Sequence, residues 1–194
     1  MENFLRHINL KKKQFKCYSL TGKNKESELI FEVKNEIHTG ANENEINLLT
    51  KLIPSYNEEI IELYKHHNGM TLYLNKDESG IKFSSINYLE QFNREWKVWF
   101  ESCDEDDLLD YHKSGIAFAE ISHSGNYFVL FNGKVFYFDH GDFTNSKPIA
   151  HTVKEFLSLI VKDPITFLHE MGNYTRYFDG KTNKEWIPKE FIAI

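Results

Sequence analysis

Apolar positions along this chain change their spacing several times, and each change predicts an element. From Asn42, the stretch ANENEINLLTKLIP puts Ile46, Leu49 and Ile53 at helical intervals, and Asn42 with Glu45 has the spacing of a capping box. Pro54 ends that helix, since proline lacks the amide that would continue it. A second helix is predicted at once. Ser55 and Glu58 repeat the capping spacing, Tyr56, Ile60, Leu63 and Tyr64 share one face, and Glu58, Glu59, Glu62 and Lys65 lie mostly off it. His66 and His67 fall in its last turn, where the helix dipole favours positive charge. Asn68-Gly69, a pair suited to left-handed backbone angles, stops it. Met70, Leu72 and Leu74 then alternate with Thr71 and Tyr73, as on a strand with one buried face. Residues 75–80 are turn-like, and Ile81 with Phe83 predicts a short returning strand.

Asn87 and Glu90 again have capping spacing, and Leu89, Phe92, Trp96, Trp99 and Phe100 form an aromatic stripe expected to pack in the core. From Gly115 the runs GIAFAEIS, YFVLF and KVFYFDH predict three strands of a meander. His123-Ser124-Gly125-Asn126 joins the first pair and Asn132-Gly133 the second. Asn-Gly between apolar runs is a strong hairpin signal, because a type I′ turn needs positive φ twice. Thr152 and Glu155 cap a helix whose buried side is Val153, Phe156, Leu157, Ile160 and Val161. Asp163-Pro164 opens a further helix that Gly172 closes. Glu28–Ile37 alternates as a strand, and short strands are expected around 176–178 and 190–194. These elements predict an α+β fold, a mainly antiparallel sheet with a central meander and flanking helices. The expected organisation is an N-terminal extension over 1–41 packed on the core, a core domain over 42–172 and a C-terminal extension over 173–194.

The totals narrow the class. With 194 residues, 41% hydrophobic and 15% aromatic, the chain suits one domain with appendages rather than a disordered polymer. The net charge of −6 argues against nucleic acid as a partner, which needs a dense Lys/Arg surface. Lys11, Lys12, Lys13 and Lys16 make one short basic cluster, read as a solvated face. Cys17 and Cys103 lie far apart without CxxC spacing and read as free thiols. The N-terminal pattern is not that of a secretory signal, and no apolar run nears the ~20 residues that span a bilayer. A cytoplasmic protein without membrane contact is expected.

Candidate chemistry is sparse. ESCDEDDLLD carries Asp104, Glu105, Asp106 and Asp107, which cannot all be buried and read as a solvated loop or a protein contact. The EF-hand pattern is absent there. Adjacent His66 and His67 diverge by about 100° on a helix and do not share a metal easily. His123, His140 and Asp142 fall at turns and strand ends, where an acid–base pocket is conceivable. No nucleophile elbow, phosphate loop, HExxH or paired CxxC occurs, so no catalytic residue, metal or cofactor is assigned.

Taken in order, these pieces resemble the SUKH superfamily, the Smi/Knr group of yeast cell-wall regulators and bacterial toxin-immunity proteins. The resemblance rests on Leu52-Ile53-Pro54, the helix running to Asn68-Gly69, the strand from Met70 to Leu74, GIAFAEISHSGNYFVLFNGKVFYFDH, and TVKEFLSLI preceded by Ile149-Ala150. It spans roughly Asn42 to Lys162. The family often has Gly-Asp where this chain has Gly125-Asn126. The resemblance implies a SUKH-like α+β scaffold and, for bacterial members, neutralisation of a protein toxin of nuclease or deaminase class, without catalysis or cofactor. The alternative it implies is a regulatory scaffold for envelope synthesis. A small hydrolase using His123, His140 and Asp142 is the third reading. The residues expected to meet a partner are Asp104, Glu105, Asp106, Asp107 and Asp142; the oligomeric state is not legible.

Overall fold

The computed structural model describes backbone and side chains for residues 1–9, 34–53, 55–74, 78, 80–142 and 144–162, and backbone alone for the strand segments 12–19, 28–33, 177–178 and 185–193. The helices are α1 (Glu2–Ile8), α2 (Glu43–Leu52), α3 (Glu58–His66), α4 (Ile86–Val98), α5 (Asp110–Ser114) and α6 (Val153–Lys162). The strands are β1 (Lys12–Ser19), β2 (Glu28–Ile37), β3 (Met70–Leu74), β4 (Ile81–Phe83), β5 (Ile116–Ile121), β6 (Asn126–Phe131), β7 (Lys134–Phe138), β8 (Tyr177–Phe178) and β9 (Glu185–Ala193). They form one sheet in the order β7-β6-β5-β4-β3-β2-β1-β9-β8, with each neighbouring pair antiparallel. The fold is therefore α+β, as the pattern predicts. The helix predicted from Asp163 to Gly172 lies outside the described residues, as do Pro54 and Lys11. The predicted returning strand and meander are β4 and β5–β7, and Asn132 (φ 49°) and Gly133 (φ 75°) supply the two positive angles of the hairpin.

Helices cover both faces. Successive residues of a strand point to opposite sides. Tyr127 meets Phe92 of α4 at 5.3 Å between ring centroids, whereas Phe128 meets Phe156 of α6 at 4.7 Å. Phe156 also touches Phe83 and Phe118, so α6 covers β4–β6 from one side. On the other, α4 lies over β5–β7, with Trp96 against Phe138 at 5.9 Å and Asn93 bonded to both backbone groups of Ala117. Towards β4, Tyr88 of α4 reaches the Lys82 ammonium, 5.9 Å from its ring centroid, and among the described residues the β2–β4 side of this face opens into a trough.

Local chemistry shifts several expected caps. The α2 capping box forms as predicted, with Glu45 N–H donating to Asn42 Oδ1 at 3.0 Å and Asn42 N–H to Glu45 Oε2 at 2.9 Å. For α3 the cap is Asn57, not Ser55: Ile60 N–H donates to Asn57 Oδ1 at 3.0 Å. Starting there places Ile61 beside Ile60 in the core and leaves Tyr56 71% exposed, so Tyr56 is no part of the buried face. Asn87 does not cap α4 either. Ile86 N–H is taken by Asn68 Oδ1 at 2.8 Å, while Asn68 and Asn87 both donate to Glu45 Oε1. Asn68 thus ties the end of α3 to the starts of α2 and α4, and only Gly69 of the pair takes a positive φ, 94°. The surroundings of His67 work against the positive charge expected of a helix end. Burial lowers its pKa, against a bond to the His38 carbonyl.

Tyr73 breaks the alternation of β3. Its φ of 58° turns a nominally outward side chain inward, where it is fully buried and its hydroxyl donates to the Ile160 carbonyl at 3.2 Å. β3 is bulged here, its Leu72 and Tyr73 facing the single residue Asn35 of β2. Asn35 Oδ1 accepts from Tyr73 N–H at 2.9 Å and its amide donates to the Ile8 carbonyl at 2.8 Å. α1, with Phe4 and Ile8 buried, is anchored through the same residue.

Candidate functional site

The acidic run folds as a short 3-10 turn, Glu105–Asp107. Asp104, Glu105, Asp106 and Asp107 are all exposed, and none is in an ion pair among the described residues. Behind the turn, α5 buries Tyr111 and His112. Tyr111 stacks on Phe136 at 4.8 Å and 17°, and His112 sits among Phe100, Tyr111 and Phe138. His112 Nδ1 accepts from Leu109 N–H at 3.1 Å, fixing the start of α5. Burial in that aromatic setting pushes its pKa down to about 4. The carboxylates therefore stand on a packed block rather than on a loose loop.

Asp142 lies on the loop after β7, bridged back to Asp139. One carboxylate oxygen accepts from the Thr144 hydroxyl at 2.6 Å and from its amide at 2.9 Å. These bonds, the hydroxyl first, hold its pKa below the usual Asp value. Asp142 is near enough to Tyr111 to raise the phenol's pKa further, beyond the effect of burial. Leu108, Leu109, Tyr111, Phe131, Phe136 and Ser146 line a groove of about 310 Å³ between α5 and this loop. Asp110 also lines this groove at the β7 edge of the sheet, whereas Asp104–Asp107 and Asp142 stand outside its lining.

His123, His140 and Asp142 do not converge. The two histidines line the trough, of about 1020 Å³. Asp142 instead lines a separate hollow with Tyr137, Asp139 and Thr144. His140 Nδ1 is engaged by Asn126 Oδ1 at 2.8 Å, the same oxygen that accepts His140 N–H at 3.1 Å. Buried Asn126 also donates to the Tyr137 hydroxyl at 2.6 Å. No group of three or more His, Cys, Asp or Glu suited to a metal occurs among the described residues, and Cys103 is a free thiol.

The trough is built by a row of cross-strand neighbours, Glu36, Thr71, Lys82, Glu120 and Tyr127. Lys82 pairs with Glu120 at 3.3 Å, and the Glu120 side chain is only 17% exposed. Burial raises the Glu120 pKa more than Lys82 lowers it. Trp99 closes one end, 43% exposed, its ring tilted at 51° to that of His140 with centroids 5.0 Å apart, and it lies near enough to Tyr127 to lower the phenol's pKa against the effect of burial. Gly125 lies directly beneath it: a Cβ there would come within 2.7 Å of the indole. Trp99 therefore departs from the predicted core stripe, because α4 ends at Val98 and turns it out over the His123–Asn126 turn. Sequence pattern alone passed over Glu120, whose only signal was a lone charge inside the apolar run GIAFAEIS.

A sequence model of the SMI1 / KNR4 family (SUKH-1) matches residues 40–159, from just before α2 into α6. No curated protein gives a significant match. No helix among the described residues is long and apolar enough to cross a membrane. The family match spans more than half of the 194 residues and takes in α2 to β7 and most of α6, so the chain belongs to the SMI1 / KNR4 (SUKH-1) family.

Proposed function

We propose that this protein is an intracellular immunity-type binding protein that neutralises a protein toxin by covering a basic surface, without catalysis of its own. The observation that carries the reading is the set of four exposed carboxylates, Asp104 to Asp107, unpaired among the described residues and mounted on the Phe100–Tyr111–His112–Phe138 block. A rigid acidic surface loses little conformational entropy on docking and accelerates encounter with a basic partner. Nucleases, which bind phosphate, present such basic surfaces. Asp142 and the adjoining apolar groove supply the mixture of charge and buried anchor that protein interfaces use.

The experiment pairs the protein with the toxin encoded beside its gene. D104N/E105Q/D106N/D107N is compared with the native chain for association rate and affinity at low and moderate salt. The reading expects a slower association whose salt dependence is largely lost, with dissociation changed less. Equal association rates for both proteins at both salts would remove the turn from the interface.

A further inference from the structure

The trough is not explained by a contact made at the acidic turn. Its lining is nearly self-neutralised: Lys34 pairs with Glu36 and Lys82 with Glu120. One group stands out. Glu120 is the most buried charge of the row, and the ion pair it makes is with a half-exposed lysine, through Oε1, with His123 a weaker positive influence nearby. Beside it lie two aromatic side chains. Tyr127 is the cross-strand neighbour of Glu120, within about 5 Å by strand geometry, and Trp99 lines the same trough. The indole is held by His140 on the ring and Gly125 beneath, with nearly half its surface open. Glu95, near enough to act on Glu120 and Tyr127, adds a further negative charge.

A largely buried carboxylate held by a half-exposed lysine, next to a partly exposed and well-packed indole, suits a planar cation. Guanidinium stacks on aromatic rings and donates to carboxylates through a rigid fork, whereas ammonium is a strongly hydrated point charge. Anions are disfavoured, because both trough lysines are already committed to carboxylates. We propose that the trough receives an arginine side chain of a partner protein, its guanidinium on the open face of Trp99 and paired with Glu120, with Lys82 displaced toward solvent. This rests on the reading of the chain as a binder of basic proteins, and adds to it a second, residue-specific contact.

The test needs no toxin. The full chain, ¹⁵N-labelled, is titrated with the capped peptides Ac-Gly-Arg-Gly-NH2 and Ac-Gly-Lys-Gly-NH2 and followed by NMR. The arginine peptide should shift the Trp99 indole and the amides of Glu120 and Tyr127, and bind about tenfold more tightly than the lysine peptide. E120Q and, separately, W99L should each weaken it about tenfold, while D104N/E105Q/D106N/D107N leaves it unchanged. W99L retains an apolar cover over Gly125, and E120Q retains the volume of the side chain, so folding is checked independently in both spectra. No saturable shift, equal affinity for the two peptides, or undiminished binding by E120Q overturns the proposal. Such a failure leaves the toxin experiment standing, and failure of the toxin experiment leaves peptide binding at the trough to be seen.

Discussion

Acidification from pH 7 toward 4.5 should weaken this fold through one residue, His112. The imidazole is 1% exposed, and its Nδ1 accepts the Leu109 amide. Protonating Nδ1 would set one N–H against another and place a charge among Phe100, Tyr111 and Phe138. Burial accordingly holds the pKa at about 4, against an ordinary 6.5. Above pH 6.5 the ring is neutral in both the folded and the unfolded chain, so it contributes nothing to the pH dependence. As pH falls below 6.5 the unfolded chain takes up the proton first, and stability declines until the folded ring also titrates near pH 4. At about 1.36 kcal/mol per pH unit the full loss is roughly 3 kcal/mol, a large part of the roughly 5–15 kcal/mol of an ordinary domain. His67, whose pKa is also lowered, adds in the same direction. Glu120 opposes it, because a raised carboxyl pKa lets the folded state bind its proton first. The difference between native chain and H112N isolates the His112 contribution, since the Asn carbonyl can still accept the Leu109 amide. Urea unfolding at pH 7, 6, 5 and 4.5 should give H112N a lower stability at pH 7 but a shallower decline with acid. Parallel curves for the two proteins, or an NMR titration placing the His112 ring near 6.5, would refute the reasoning.

Three more outcomes rest on single contacts. N68A strands the Ile86 amide and removes one bond to Glu45 Oε1, and should cost about 1–3 kcal/mol, with faster hydrogen exchange in the first turn of α4 as the local readout. G125A forces φ near 75° on an L residue and drives a Cβ into the indole of Trp99; a loss of about 2 kcal/mol and a displaced Trp99 indole resonance are expected, and an unmoved resonance would contradict the close packing of Gly125 against Trp99. Y73F removes the hydroxyl bond to the Ile160 carbonyl and should cost about 1 kcal/mol by urea unfolding, with exchange protection falling at the end of α6.

The sheet was largely legible because its signals are local. Asn132-Gly133 dictates a hairpin from two residues, and the meander is set by alternation. The α2 box is likewise contained within Asn42 and Glu45. Caps failed where the partner came from far along the chain. Ile86 is capped by a residue 18 positions away, and no window of sequence contains that bond. Ser55 and Asn57 illustrate the converse: both are competent caps by residue type, and the choice falls on whichever start buries Ile60 with Ile61. Tyr73 was misplaced for a third reason, because its inward turn depends on a bulge in β3 set by the register with Asn35 across the sheet. α1 carries no strong periodic signal in seven residues, and β1 was lost among lysines.

The site divides along the same line. An acidic turn is visible from composition, since six carboxylates in ten residues must face water. The trough is not, because its row of Glu36, Thr71, Lys82, Glu120 and Tyr127 draws one residue from each of five strands. No periodicity within a strand marks such a row. The pairing registers create it. Lys34 and Glu36 of that wall lie outside residues 40–159, the part matched to the family. The concavity therefore joins strands inside the family match to β2, which lies outside it, so under the proposed arginine contact, substitutions at Lys34 or Glu36 are expected to change the preference of the trough without touching the packed meander and its helices.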